Sequence, residues 1–386
     1  MPKFNQSKLN KLRLIDRLFK AIYFSPKNSM QLPAIEKQST QQILVLGLMM
    51  IGDTIMALPS FRVLKKNFPD ATITLVCGSA VKIVLEDQAL IDDYIIVKSP
   101  WLHKDYSLKN LSEFFGSLSI INKKQYDLAI DFRGDWRNIF FMNFIKAKRK
   151  ASFNFSGGEY MLTDVIRQNE IHQSYTDEWL YLLKQLGCVY SEEDRVPRLT
   201  LSAKKLQYVS SFKQENNLTD KIIVGIHPGA SQEVKKWSEK RYAELIIALS
   251  SSKPNLKFIL FEGPGENESI LNIETIIKDE NIEYIIVNKK LDEYIALISI
   301  CDYVICNDSG AAHIARAFLI PTTVIFGNTD PGLINIDSQI LKSVTISHKL
   351  DCKPCNLPYC KYGHKLCLEG IEVAEVYAPT IKLLEA

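Results

Sequence analysis

Twice along this chain, short apolar runs recur in series, each closed by a turn and followed by a helical segment. The first series is Gln42–Leu46, Ala71–Cys77, Tyr94–Val97 and Tyr126–Asp131. The second is Lys221–Ile226, Lys257–Phe261, Tyr284–Val287, Tyr303–Cys306 and Thr322–Phe326. Runs this short, dense in Ile, Val and Leu, are buried strands, and their alternation with helices builds a parallel sheet covered on both faces. Two series predict two α/β halves in tandem, with ligands beyond the carboxyl ends of the strands, in a cleft between the halves. The expected organisation is a basic segment over 1–42, a Rossmann-like half over 43–205, a second over 206–346, and a cysteine-rich segment with a C-terminal helix over 347–386.

Composition excludes several classes. With 386 residues, 46% hydrophobic and 24% charged, the chain has material for two ordinary globular cores. A net charge of +3 gives no argument for nucleic acid. No apolar run approaches the ~20 residues needed to cross a bilayer. The start lacks the apolar core and cleavage site of a secretory signal, so a cytoplasmic protein is expected. Charge is concentrated at the N-terminus, where Lys3, Lys8, Lys11, Arg13, Arg17, Lys20 and Lys27 face a single acid, Asp16. Leu9, Leu12, Ile15, Phe19 and Ile22 recur at helical spacing there. That pattern predicts a basic amphipathic helix, which either lies on an anionic membrane surface or packs on its own protein.

The strand ends carry the chemistry. Tyr303–Cys306 breaks at Asn307–Asp308–Ser309–Gly310 and is followed by a helix of small residues. A strand that stops where a turn opens a helix leaves backbone N–H groups unpaired, which is an anion site. His313 lies in the first turn of that helix, as a core histidine or as a donor contact. After the first strand comes Gly47–Leu48–Met49–Met50–Ile51–Gly52–Asp53. It lacks the glycine spacing of a dinucleotide fold, and the second strand ends in Cys77–Gly78–Ser79 instead of a ribose-binding acid, which argues against a nicotinamide enzyme. Asp53, at a helix start, is either an N-cap or a general base. His227–Pro228–Gly229–Ala230 precedes Lys235–Lys236–Trp237, a glycine loop with lysines suited to a diphosphate. Glu266 and Glu268 stand in another strand-end loop, where acids suit ribose hydroxyls. Arg133 and Arg137 after the fourth strand, and Arg62, Lys65 and Lys66 on the first helix, are candidates for an anionic acceptor. Cys352, Cys355, Cys360 and Cys367 form a C-x2-C-x4-C-x6-C cluster, read as a structural metal site with reduced free thiols as the alternative.

Gly52–Asp53 with Pro59, the Pro228–Gly229–Ala230 loop before Lys235–Lys236–Trp237, Asp308–Ser309–Gly310 with His313, and Pro321 leading to Phe326–Gly327–Asn328–Thr329–Asp330–Pro331 resemble glycosyltransferase family 9, the heptosyltransferases. Order and spacing match from about residue 43 to the C-terminus. The resemblance implies the GT-B arrangement, two Rossmann-like domains facing each other across a cleft. It implies an inverting, metal-independent transfer of a sugar, heptose from ADP-heptose in the first instance, onto a lipopolysaccharide core or other bacterial surface glycan. Asp53 then matches the family's base, and Lys235 the lysine on the donor diphosphate. Ser309, Gly310 and Ala311 match the phosphate-binding amides, Asp308 the acid near the donor sugar, and Glu266 or Glu268 the ribose acid. No cofactor is implied for catalysis, only a structural zinc at the cysteines. A nucleotide-sugar epimerase or hydrolase, or a non-catalytic nucleotide-sugar binder, are the alternatives on the same architecture.

Overall fold

A computed structural model describes residues 6–22, 35–167, 174–333 and 342–384; Lys3 and Lys27 lie outside them. The chain divides into two compact units, Met1–Val196 and Pro197–Ala386. The first contains β1 (Gln42–Gly47), β2 (Thr72–Cys77), β3 (Asp93–Ile96), β4 (Tyr126–Asp131), β5 (Ala147–Phe153) and β6 (Asp164–Ile166). They form one parallel sheet in the order β3-β2-β1-β4-β5-β6. The second contains β7 (Ile222–His227), β8 (Leu256–Phe261), β9 (Tyr284–Val287), β10 (Tyr303–Asn307), β11 (Thr322–Ile325) and β12 (Ser343–Ile346). Their order, β9-β8-β7-β10-β11-β12, is also all parallel. Counted within its own unit, each sheet reads 3-2-1-4-5-6, the doubly wound order whose switch point lies between the first and fourth strands.

Central strands carry no polar alternation because both faces are covered. Ile43, Leu44, Val45 and Leu46 are all fully buried in β1. Three strands go beyond the sequence reading: β5, β6 and β12. Lys148, Arg149 and Lys150 make β5 look like a loop, yet the sheet supplies partners on both sides. Lys148 pairs with Asp127 of β4 at 2.7 Å, and Arg149 pairs with Asp164 of β6. Cross-strand charge pairs of this kind stabilise a strand that hydrophobicity would not reveal.

The helices that matter below are α1 (Gln6–Ile22), α2 (Ile51–Asn67), α3 (Trp136–Asn143), α4 (Glu239–Ser252), α5 (Asn267–Ile277), α6 (Leu291–Ile298), α7 (Gly310–Ala317) and α8 (Val373–Leu384). The C-terminal segment is part of the second core. Leu368, Ile371 and Val376 are buried in one cluster with Trp237, Tyr242 and Leu245.

Gly327, just past β11, shows how tightly this core closes. A Cβ there would lie 2.4 Å from the Val234 carbonyl oxygen and 3.1 Å from Leu368. Backbone cannot swing aside as a side-chain tip does. Gly327→Ala is therefore expected to destabilise the second unit by about 1–3 kcal/mol, read as a lower Tm. An unchanged Tm would show that the turn at Val234 yields freely.

Candidate active site

In the first unit, the loops after β1 and β4 flank the switch point. The β1 loop leads into α2, and Asp53 stands in that helix's first turn, its Oδ2 accepting from the Met50 N–H at 3.5 Å. The β4 loop brings Arg133 to it, and Arg133 Nη1 donates to Asp53 Oδ2 at 2.5 Å. The candidate base and a candidate acceptor-binding guanidinium thus form one pair. Buried Asp131 holds the arginine loop, accepting from the Gly134 N–H at 2.9 Å, Asn138 Nδ2 at 2.8 Å and Ser152 Oγ at 2.8 Å. Burial raises the Asp131 pKa against the pull of those donors. Gly134 has φ +61°, and a Cβ on it would lie 2.8 Å from Phe153, so this tight turn needs glycine. Burial opposes the charge of Arg133, but Asp53, Asp135 and Asp131 together keep its pKa above the ordinary value.

The other acceptor candidates hold the unit's own framework. Arg62 donates to the Val196 carbonyl at 3.1 Å, Lys65 pairs with Asp92 at 2.9 Å, and Lys66 with Asp194 at 2.8 Å. Arg62 stands nine residues after Asp53 on α2, about 13 Å along the axis. Arg137 pairs with Asp135 and lies over the Trp101 ring at 5.6 Å.

In the second unit, the loops after β7 and β10 flank the equivalent switch point. Lys235, in a short 3-10 turn after β7, donates to Asp308 Oδ2 at 2.6 Å. Thr329 Oγ1 donates to the same oxygen at 2.7 Å. Asp308 is only 5% exposed. Burial alone would raise its pKa; the charge and hydrogen bond of Lys235, then Thr329 and His313, outweigh it and hold the carboxyl below its ordinary value. Ser309 is the N-cap of α7, and its hydroxyl is buried with no partner among the described residues. Gly310 and Ala311 open the helix, whose first N–H groups have no intrahelical acceptor. His313 is buried in that first turn. A lysine beside open amides is chemistry for a diphosphate.

The structure adds roles for Asn307, Lys353 and Tyr294 that the sequence did not show, and it places the candidates Glu266 and Glu268. Asn307 staples the site together: its Nδ2 donates to the Pro228 carbonyl at 2.6 Å, and its Oδ1 accepts from the Trp237 N–H at 3.1 Å. Both ends of the loop carrying Lys235 are thereby tied to the end of β10. Lys353 donates to the Phe326 carbonyl at 3.0 Å, and burial lowers its pKa. Glu266 is turned inward over Gly229, accepting from the Gly263 N–H at 2.8 Å, with its Oε2 3.9 Å from His227 Nε2. Burial lowers the His227 pKa despite Glu266, favouring a neutral ring, and Tyr294 Oη lies 3.2 Å from its Nδ1. Glu268 is exposed in the first turn of α5.

The cysteine cluster departs from expectation. Cys352, Cys355, Cys360 and Cys367 line one cavity with His364, Lys353 and Lys365. Yet among the described residues no three His, Cys, Asp or Glu side chains come together in a group able to hold a metal ion. The zinc site is therefore not supported. The thiols sit in unlike settings instead. Backbone N–H groups of residues 362–365 surround the Cys360 sulfur and lower its pKa, while burial raises that of Cys367. The segment's visible role is packing: the N–H groups of Cys355 and Asn356 donate to the Asn328 carbonyl at 3.1 and 3.2 Å, bracing the loop that carries Thr329.

A family model described as glycosyltransferase family 9 (heptosyltransferase) matches residues 119–365. The lipooligosaccharide heptosyltransferase 2 of Campylobacter jejuni subsp. jejuni serotype O:2 is 26% identical over 345 residues, covering 87% of this chain and 96% of that protein. The crystal structure of a family 9 glycosyl transferase from Veillonella parvula superposes with TM-score 0.74 at 22% identity, over 92% of this chain and 99% of that one. The Escherichia coli ADP-heptose lps heptosyltransferase II superposes with TM-score 0.70 at 20% identity, over 89% and 99%. Both structures share the fold of two Rossmann-like units, the GT-B class.

Proposed function

The chain belongs to glycosyltransferase family 9, and from that premise we propose that it transfers heptose from ADP-heptose to the core of a lipopolysaccharide-type acceptor. The donor sugar and acceptor are those in the names of its relatives. The observation that carries the reading is the cradle at the end of β10, where partly exposed Lys235 and buried Asp308 stand beside the open amides of α7.

The roles follow from charge. In an inverting transfer, an acceptor hydroxyl attacks the anomeric carbon opposite the departing nucleoside diphosphate. Asp53 takes the hydroxyl proton, and Arg133, drawn to an anionic group of the acceptor, releases the carboxylate oxygen it holds. Lys235 and the amides of Ser309, Gly310 and Ala311 meet the charge that grows on the diphosphate. Fixed donors of this kind contribute several kcal/mol because they need no reorganisation as charge develops. Asp308 keeps Lys235 aimed, and Glu266 or Glu268 takes the ribose hydroxyls. The location that goes with a nucleotide-activated donor, and that we propose with it, is the cytoplasm.

Incubation with ADP-heptose and a heptose-deficient lipopolysaccharide core is expected to release ADP only when acceptor is present, with a matching mass gain on the acceptor. Release without acceptor would identify a hydrolase. Thermal stabilisation by donor without product would identify a binding protein.

A further inference from the structure

We infer that α1 is an interfacial helix that docks this protein on an anionic lipid surface. One side of the helix is built into the first unit. Leu9 and Leu12 are 7% and 6% exposed. Asp16 Oδ1 accepts from Trp136 Nε1 at 3.0 Å and from the Gly158 N–H at 2.8 Å. Its carboxylate packs so closely on Gly157 that a Cβ there would meet it at 2.4 Å. Phe19 sets its edge against Trp136 at 5.2 Å and Phe140 at 5.5 Å. The helix's single acid is thus consumed inside the protein.

The opposite side has a different character. At 100° per residue, Leu14, Leu18 and Lys11 fall across the helix from Leu9, Leu12 and Asp16. Leu14 and Leu18 are each 60% exposed, and Ile15 is 38% exposed. Lys11, Arg13 and Arg17 are exposed around them and form no ion pair among the described residues. The apolar surface continues beyond the helix. Phe140 meets Phe144 at 5.1 Å, and Phe144 is 48% exposed beside exposed Lys146.

Leucines set among cations, with the acid withdrawn, complement a negatively charged surface that has an apolar interior. A second copy of this chain would offer the same positive charge to itself, which disfavours self-association through this face. The helix spans 17 residues, about 25 Å, and no helix among the described residues is long and apolar enough to cross a membrane. It therefore lies along the surface.

Full-length protein is expected to co-sediment with phosphatidylglycerol-containing vesicles, much less with pure phosphatidylcholine, and to be released by salt. Leu14→Glu/Leu18→Glu is expected to lower the vesicle partition constant at least tenfold, and each of Lys11→Gln, Arg13→Gln and Arg17→Gln about fivefold. These side chains are exposed and, among the described residues, make none of the contacts that pack the helix on the protein, so Tm and transfer to a delipidated acceptor should stay at the unsubstituted values. Equal binding to neutral vesicles, no binding at all, or substituted chains that bind unchanged would overturn the inference. So would light scattering that shows a dimer abolished by Leu14→Glu/Leu18→Glu without any vesicle binding. Sedimentation does not read transfer, so its failure leaves the transferase reading intact.

Discussion

Asp53→Asn is expected to lower the transfer rate by about 10²–10⁴-fold, with donor-induced thermal stabilisation retained and Tm lowered only by the loss of the ionic partner of Arg133. The substitution is nearly isosteric. Its amide oxygen can still accept from the Met50 N–H and from Arg133 Nη1, the two donors that the carboxylate meets. What is removed is the negative charge, and with it both the ion pair to Arg133 and the ability to hold a proton taken from an acceptor hydroxyl. The structure makes Met50 the N-cap of α2 and Asp53 the N3 residue, and a role confined to that helix start would survive the exchange, because the amide oxygen still accepts from the Met50 N–H. The experiment therefore separates the two readings of this residue. A helix-start role predicts near-normal turnover, whereas a base predicts collapse of kcat with the fold and the donor site intact. Turnover equal to that of the unsubstituted chain would remove Asp53 from the chemistry.

Fold class was legible because doubly wound sheets bury their central strands on both faces, and that burial leaves uninterrupted apolar runs such as Ile43–Leu46 and Tyr303–Cys306. β5 was not legible, since its three consecutive basic residues find their partners far along the chain or on the backbone: Asp127 for Lys148, Asp164 for Arg149 and the Asn143 carbonyl for Lys150. The same limit applies at the site. Glycine turns and helix starts marked Asp53, Lys235 and Ser309 as residues of interest, for these are local features. Their partners are not local. Arg133 lies 80 positions from Asp53, and Asp308 lies 73 from Lys235. Only the parallel crossovers bring each pair to one switch point. Asn307 looked like part of a turn, and its stapling of two β7-loop residues needed coordinates to see. The cysteines erred in the other direction: spacing suggested a metal centre, and the structure gives a cavity wall instead.

Lys235→Met should cost both rate and stability, and a second substitution should recover only one of them. Lys235 and Asp308 are 18% and 5% exposed at the side chain, so their 2.6 Å contact is largely shielded from water. Removing the lysine leaves a buried carboxylate that has lost its paired cation while Thr329 still donates to it, which is expected to destabilise the unit by about 3 kcal/mol. Loss of the positive charge facing the leaving diphosphate is expected to lower kcat by about 10²–10³-fold. In Lys235→Met/Asp308→Asn the uncompensated charge is gone, and Thr329 can still donate to the amide oxygen. Most of the stability should return while kcat stays low. The pH dependence supplies an independent sign. In the unsubstituted chain, the Asp308 pKa is depressed. Its contribution is complete above the unfolded value of about 3.9 and is lost as pH falls through the folded value, so stability rises with pH across that window. Without Lys235, burial dominates and raises the folded value above the unfolded one. Stability should then fall as pH rises between the two. Urea unfolding of both chains across the acidic range measures these slopes. Parallel slopes in the two proteins would mean that Lys235 does not set the charge on Asp308, and the electrostatic account of the donor cradle would have to be abandoned.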